Sequence, residues 1–174
     1  MEAACFDQLG HTISFSFGLA VATNAQRLGI NRVALVDKVP VRTPIQHSRD
    51  IDLPRSLDPV LLQYQLVHDP IIDTIPHPKF RCNVLRSLSL TRIDLTGLSQ
   101  FLRQSGGIIS VLGEQKRCGL VVWGSPEDLA NWELTEAFVL LYGSLLEGCE
   151  DWINISNAWR LQRGEHPLPA VSAL

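Results

Sequence analysis

One proline-punctuated stretch contains three side chains suited to proton transfer. His68 has an ordinary pKa of about 6.5, so its ring can accept and release a proton near neutral pH. Asp73 can orient that ring, or act as a base itself where it is desolvated. Arg81 can stabilise a developing negative charge. A base, an orienting carboxylate and a cation are the groups that proton transfer with a developing negative charge needs, so we treat all three as candidate catalytic residues.

Each of the three also has a structural interpretation, which stays open at this point. His68 can cap the turn that follows it, and Asp73 can accept hydrogen bonds from backbone N–H groups. Arg81 can pair with an acid to fix a helix. The neighbouring His77, which is flanked by prolines, is expected to be exposed.

Three more residues are candidates for contact with a bound molecule. Trp123 follows an apolar run and precedes a glycine, so its ring can line a pocket or pack in the core. Tyr142 can donate a hydrogen bond to a ligand or lie at the core edge. Glu133 is expected in the first turn of a helix, where the helix dipole stabilises an acid.

Other polar and sulfur-containing residues are assigned structural roles. Cys118 and Cys149 are expected to be small buried hydrophobes rather than nucleophiles. The final helix is expected to be tied to the body by Arg160, Arg163 and Glu165. Without C-x-x-C pairs or nearby histidines, the four cysteines predict no metal site, and the proposed chemistry needs no organic cofactor.

The first half of the chain is predicted to be helical around a long connection. Residues 13–30 are apolar or small and end at Gly29, which predicts a buried helix with a glycine cap. Repeated prolines predict an extended connecting loop over residues 33–59. Residues 61–68 fit a short strand or one helical turn. Helices are then predicted from Pro78 through Leu88 and over residues 94–104.

The second half combines strands with helices. Residues 108–112 and 120–123 are rich in β-branched residues and are predicted to pair as a β-hairpin. A helix is predicted to begin at Ser125-Pro126 and to end near Gly148, followed by a last helix over residues 150–162. The pattern indicates a single α+β domain over residues 1–174, predominantly helical with a small hairpin.

Charge and hydropathy argue against several partners. The net charge is −3, and the 15 basic residues form no run, so we expect no direct contact with nucleic acid. No apolar run approaches the roughly 20 residues that cross a bilayer, and the N-terminus lacks the features of a signal peptide. These features predict a cytoplasmic protein with free thiols. The oligomeric state is left open, a homodimer included.

Three ordered motifs resemble segments of the fungal DUF3425 family, whose domains follow the basic zipper of bZIP-like regulators. Residues 68–81, with the pattern H-x-P-x-x-D-x-x-P-x-P-x-x-R, resemble the family's HHPWIDLIPFPxLRDNL segment. Residues 119–133 resemble its GLIVWGDPWDPxxWE segment, and residues 148–168 resemble its GC…NxWRxxRGExPL ending. Ile71 departs from the pattern, because the family has an aromatic residue there.

The resemblance implies two different functions. Stand-alone members of the family, of the aurovertin type, are described as cyclases that assist α-pyrone formation, which implies a polyketide substrate, free or bound to a carrier. Alternatively, the chain is a non-catalytic regulatory module that binds a ligand or a partner. Because Met1 lies directly before the domain, we expect no basic helix of the kind that enters the major groove of DNA.

Overall fold

The computed structural model describes residues 2–42, 53–90 and 94–169, with side chains from residue 9 onward and without that of residue 95. The α-helices within these ranges are α1 (Glu2–Arg27), α2 (Arg32–Val36), α3 (Leu61–Gln65), α4 (Pro78–Ser89), α5 (Leu95–Arg103), α6 (Glu136–Tyr142) and α7 (Glu150–Gln162). The strands are β1 (Ile108–Val111), β2 (Glu114–Arg117), β3 (Leu120–Val122) and β4 (Trp132–Leu134). The predicted α+β, mostly helical class is confirmed.

The first helix packs one face on strand β3 and leaves the opposite face in solvent. Phe17, Ala20 and Val21 are buried, whereas Phe15 remains 71% exposed. The helix ends as predicted, because Gly29 adopts a φ of 65° that a residue with a Cβ adopts at a cost. It begins at residue 2, earlier than the predicted start, and is not buried all round.

The prediction of an extended connection over residues 33–59 is wrong at both described ends, where the chain forms short helical turns. Asn31 accepts a hydrogen bond from the backbone N–H of Val33, and this cap starts helix α2. The prolines that exclude a helix begin only at Pro40, so the preceding residues are free to form one turn. A 3₁₀ turn covers Arg55–Leu57, and residues 43–52 lie outside the described residues.

The predicted hairpin is replaced by two separate two-stranded antiparallel sheets. Strand β1 pairs with β2, and β3 pairs with β4. The turn between β1 and β2 is Leu112-Gly113, where both residues have positive φ, as a tight type I′ turn requires. The polar residues 114–117, which were predicted to be a turn, therefore form a strand of their own.

The helix predicted to begin at Ser125-Pro126 starts ten residues later. A 3₁₀ turn over Leu129–Asn131 and strand β4 occupy the intervening residues. Helix α6 is instead capped by Thr135, whose hydroxyl accepts from the N–H of Phe138 at 3.2 Å. Glu133 consequently lies in a buried strand, and the prediction that a helix dipole stabilises it is wrong.

The core lies where helices α4, α6 and α7 meet the β3–β4 sheet. Phe80 packs edge-on against Trp152 with ring centroids 5.3 Å apart, and Phe138 lies 5.8 Å from Phe80. The Trp152 indole N–H donates to the carbonyl of Trp132 at 3.0 Å, which joins α7 to β4. The helices predicted for α4, α5 and α7 are confirmed within a few residues, and α3 is the helical turn rather than the strand.

Candidate active site

His68 and Asp73 meet in the interior, beneath a short extended segment of the chain. The segment at Val41 forms an antiparallel bridge with His68, with N–H to carbonyl distances of 2.8 and 2.9 Å. The ring of His68 is 1% exposed, and its Nε2 lies 2.6 Å from Oδ1 of Asp73. The predicted base and its orienting carboxylate are therefore in direct contact.

The hydrogen bond of the second ring nitrogen of His68 shows that this nitrogen is protonated. Nδ1 is 2.9 Å from the carbonyl of Leu66, and because a carbonyl oxygen only accepts, this nitrogen carries hydrogen. Burial lowers the pKa of His68, but the hydrogen bond and charge of Asp73 raise it further, so the net pKa lies above its ordinary value. The contact with Asp73 thus favours the protonated form of the His68 ring.

Gln63, which sequence analysis did not single out, completes this cluster. Its Nε2 donates to Oδ1 of Asp73 at 2.6 Å, and its Oε1 accepts from the N–H of Val60 and from Nε of Arg81. Those two donors fix which end of the amide points at Asp73. Gln63 was missed because neither of the two glutamines in the segment LLQYQ has a distinguishing spacing.

Arg81 belongs to the cluster but has a structural role. It is fully buried, and its guanidinium donates to the carbonyls of Ile75 at 2.5 Å, Asp58 at 2.6 Å and Ser56 at 2.8 Å. Burial lowers its pKa to about 10, so the group stays charged at neutral pH. The prediction that an acid would be its partner is wrong, because backbone carbonyls take that place.

An apolar cavity of about 190 Å³ opens beside Asp73. Its walls come from residues 28–31, which follow α1, from Ala34 of α2, and from Val41 and Arg42. Gln63 and Asp73 are the buried polar residues of its lining. The remaining lining residues are Leu28, Gly29, Ile30, Asn31, Ala34, Val41 and Arg42. Arg81 does not line it, whereas the exposed Arg42 does, so the cation at this cavity differs from the predicted one.

Trp123 and Glu133 lie together at a different place. The Trp123 indole N–H donates to Oε2 of Glu133 at 2.8 Å, and the ring stacks on Trp159 with centroids 5.5 Å apart. Arg163 binds both carboxylate oxygens of Glu133, at 2.6 and 2.8 Å. Trp123, Glu133 and Arg163 border a cleft of about 300 Å³ that is lined mostly by polar and charged residues. Among the described residues none lines both this cleft and the cavity beside Asp73.

Tyr142 lies apart from both places, at the end of α6. Its ring contacts Phe101 edge-on at 5.2 Å and Phe138 at 5.7 Å. The alternative of a residue at the core edge is therefore the one that the structure supports. The six candidate site residues therefore fall into three groups, and Trp123, Glu133 and Tyr142 do not line the cavity beside Asp73.

The link between Arg163 and Glu133 ties the last helix to strand β4, as predicted for the C-terminal charges. Arg163→Met leaves the buried Glu133 carboxylate with the Trp123 indole as its remaining donor. Since a hydrogen bond to a charged group contributes about 1.5–3 kcal/mol, we expect a loss of about 2 kcal/mol in the free energy of unfolding. Urea denaturation measures it, and Glu165→Gln is the control, because that carboxylate is half-exposed and should cost less than about 1 kcal/mol.

His77 is buried, contrary to the prediction of exposure. Its Nδ1 accepts from the N–H of Phe80 and so caps α4, and its Nε2 lies 3.2 Å from a carboxylate oxygen of Asp151. The ring also packs against Trp152 at 5.4 Å. Burial lowers the pKa of His77 below its ordinary value, because the opposing attraction of Asp151 is smaller.

This lowered pKa has a consequence for stability in the pH range just below about 6.5. As pH falls below the unfolded-state pKa of about 6.5, the unfolded chain binds a proton at His77 before the folded chain does, so stability declines until the folded pKa is passed. His77→Asn keeps a helix-capping side chain but does not titrate. We expect its free energy of unfolding to fall less steeply over this window than that of the wild type. Parallel slopes in urea titrations at several pH values would contradict this.

The two cysteines that were predicted to be buried both lie in the core. Cys118 and Cys149 are fully buried, and burial raises the pKa of each thiol to about 12. Neither is a thiolate at neutral pH, which agrees with the prediction that they are not nucleophiles.

Metal-ligand clusters and membrane-spanning helices were sought in the described residues. No group of three or more His, Cys, Asp or Glu side chains there is placed to hold a metal ion. No described helix has the length and apolar character needed to span a bilayer.

Comparison with known proteins gives one match. The family model of a domain of unknown function, DUF3425, matches residues 39–153. That range contains the His68–Asp73 pair, Gln63 and Glu133 but excludes all of α1 and α2 and the last turns of α7. No curated protein and no solved structure matches the chain.

Proposed function

Since this chain belongs to the DUF3425 family, we propose that it is a polyketide cyclase that promotes lactonisation to an α-pyrone in the cavity beside Asp73. One observation carries the proposal: the buried side chain of Asp73, hydrogen-bonded to His68, lines a cavity whose other walls are mostly apolar. Apolar walls with few convergent polar groups are typical of sites for small organic ligands.

In the proposed reaction an enol oxygen of the bound polyketide attacks the carbonyl of its own thioester. The C–O bond of the ring forms, and the C–S bond to the leaving thiol breaks. Asp73 accepts the enol proton as the attack proceeds and returns it to the departing sulfur, which leaves the carboxylate unchanged. His68 stays protonated and holds the carboxylate in place, and it limits the cost of a negative charge in an apolar surrounding.

The size of the cavity restricts which part of the substrate is enclosed. Its volume of about 190 Å³ is below the roughly 300–1,000 Å³ of pockets that hold whole drug-sized ligands. We therefore assign it to the ring-forming end of the polyketide, with the rest of the chain outside. Holding a flexible chain with its ends in contact lowers the entropic part of the barrier.

A non-catalytic regulatory module that binds a metabolite is the second candidate. The observation that favours it is the position of Arg81, which is occupied by backbone carbonyls and does not line the cavity. Arg81, which was predicted to stabilise a developing negative charge, is therefore absent from the cavity wall. The cation that does line the cavity is Arg42, and it is exposed to solvent. Binding without turnover needs no such cation.

The test is to incubate the purified chain with a linear polyketide thioester and to follow pyrone formation by chromatography. The cyclase proposal predicts a higher initial rate than in buffer alone, in proportion to protein concentration. Equal rates in both would overturn it. The regulatory alternative predicts equal rates together with a rise in melting temperature on addition of the pyrone product, since ligands that bind only the folded state stabilise it.

A further inference from the structure

A second cavity, of about 210 Å³, lies beside His68 and is lined by Lys38 and Pro40, which precede Val41 in the chain. Asp73 lines the apolar cavity, whereas His68 lines this one. The two cavities have no lining residue in common among those described. The polar groups at the second cavity come from helix α5, from Asp69 and from Lys38.

Helix α5 presents a buried hydroxyl with no partner at this cavity. Ser99 is 4% exposed, and its Oγ has no hydrogen-bond partner within the described part of the chain. One turn further, Nε of Arg103 is buried and likewise without a partner there. Residues four apart lie on the same face of a helix, so both unsatisfied donors are on the side of α5 that faces Asp69. Buried polar groups are rarely left in this state unless water or a ligand satisfies them.

The charges around the cavity favour an anion. Asp69 is already paired, because NH2 of Arg103 donates to its two oxygens at 2.7 and 2.9 Å and the N–H of Ile71 donates to Oδ1. His68 likewise already has a partner, because its Nε2 lies 2.6 Å from Oδ1 of Asp73. Lys38 therefore contributes the excess positive charge of the lining residues.

We propose that this second cavity binds the carboxylate of a small organic acid, with the Lys38 ammonium and the Ser99 hydroxyl as its ligands. A carboxylate accepts hydrogen bonds through both oxygens, and it therefore matches a cation and a hydroxyl donor that lie at one cavity. The inference goes beyond the cyclase proposal and does not depend on it.

Lys38 offers a variant that separates binding from folding. Its φ is 56°, in the left-handed region where glycine is favoured, so Lys38→Gly relieves backbone strain and removes the ammonium together. Leu112 is the matched control, since it too is a non-glycine residue with positive φ, at 53°, and it lies in the turn between β1 and β2, away from the cavity. Ser99→Ala removes the buried hydroxyl without leaving a new polar group unsatisfied.

The experiment is a titration of the ¹⁵N-labelled chain with sodium propionate, followed by amide chemical shifts, with propionamide and sodium chloride as comparison solutes. We expect saturable shifts at Ser99 and Gln100 with propionate and not with the other two solutes. Ser99→Ala and Lys38→Gly should each weaken the affinity for propionate by about fivefold or more, equivalent to roughly one charge-assisted hydrogen bond. Leu112→Gly should leave that affinity unchanged, and none of the three variants should lower the melting temperature.

Three results would overturn the proposal. Shifts that never saturate, or that propionamide and chloride reproduce, would mean that water alone fills the cavity. Propionate affinity that is unchanged in both Ser99→Ala and Lys38→Gly would place any binding elsewhere. Because pyrone formation is measured in a separate assay, failure here leaves the cyclase proposal standing, and failure there leaves this one standing.

Discussion

Arg81→Met is expected to lower the free energy of unfolding by about 4–5 kcal/mol, the range reserved for losses of a buried polar network. The substitution takes the guanidinium donor from the carbonyls of Ser56 and Asp58, which have no other donor among the described residues. The Ile75 carbonyl and the Oε1 of Gln63 each lose one of two donors, because the N–H groups of His77 and Val60 remain. Each unsatisfied buried acceptor costs about 1–3 kcal/mol, and partial relaxation keeps the total below their sum. For a chain of this length the melting temperature should fall by roughly 8–20 °C.

Circular dichroism during heating and during urea denaturation measures this loss. Arg86→Met is the matched control, because Arg86 lies on the same helix but is exposed, and its change should stay within about 0.5 kcal/mol. A similar small effect for Arg81→Met would show that its contacts contribute little. A folded Arg81→Met chain that had lost pyrone formation alone would return this residue to the catalytic group.

The neighbourhood of His68, Asp73 and Arg81 is the part of the site that the sequence predicts. These residues are close along the chain, and the prolines between them force turns that bring their side chains back together. Which of them would face the cavity could not be predicted, because that depends on Ser56 and Asp58. Their carbonyls come from a segment that the pattern assigned to a featureless loop.

The grouping of Trp123 with Arg163 shows a different limit of prediction. Their contact, with the guanidinium 5.0 Å from the ring centroid, joins residues 40 positions apart through the pairing of β3 with β4. The hydrophobic pattern predicts that β3 is a strand but not which strand is its partner, since a single short apolar run pairs equally well with β1. The mistaken hairpin therefore also misplaced Glu133.

The positions of connections, like the pairing of strands, depend on contacts between distant parts of the chain, and helices were therefore predicted better than connections. Helices α4, α5 and α7 carry local signals: a proline at the first position of α4, an aspartate cap before α5, and apolar residues at helical spacing. The extended segment at Val41 has no local signal. Its position is set by the two hydrogen bonds to His68, which are contacts between distant parts of the chain.

Asp73→Asn is expected to lower the rate of pyrone formation by about 1,000-fold, within the roughly 100- to 10,000-fold range of general base catalysis. The amide keeps the size of the side chain and an oxygen acceptor for Gln63, but it has no appreciable basicity. It also removes the negative charge that raises the pKa of His68, so the imidazolium loses its counterion. Both changes act on the proton that the reaction must move.

The measurement that tests the central claim most directly is the ratio of initial pyrone-forming rates of Asp73→Asn and Asp151→Asn. Asp151 makes a comparable histidine contact with His77, but it is largely exposed and does not line the apolar cavity. The account predicts a ratio of about 1:1,000, with both variants folded by circular dichroism. A ratio near one, with activity close to that of the wild type in both, would contradict it, because the carboxylate beside the cavity would then take no part in the reaction.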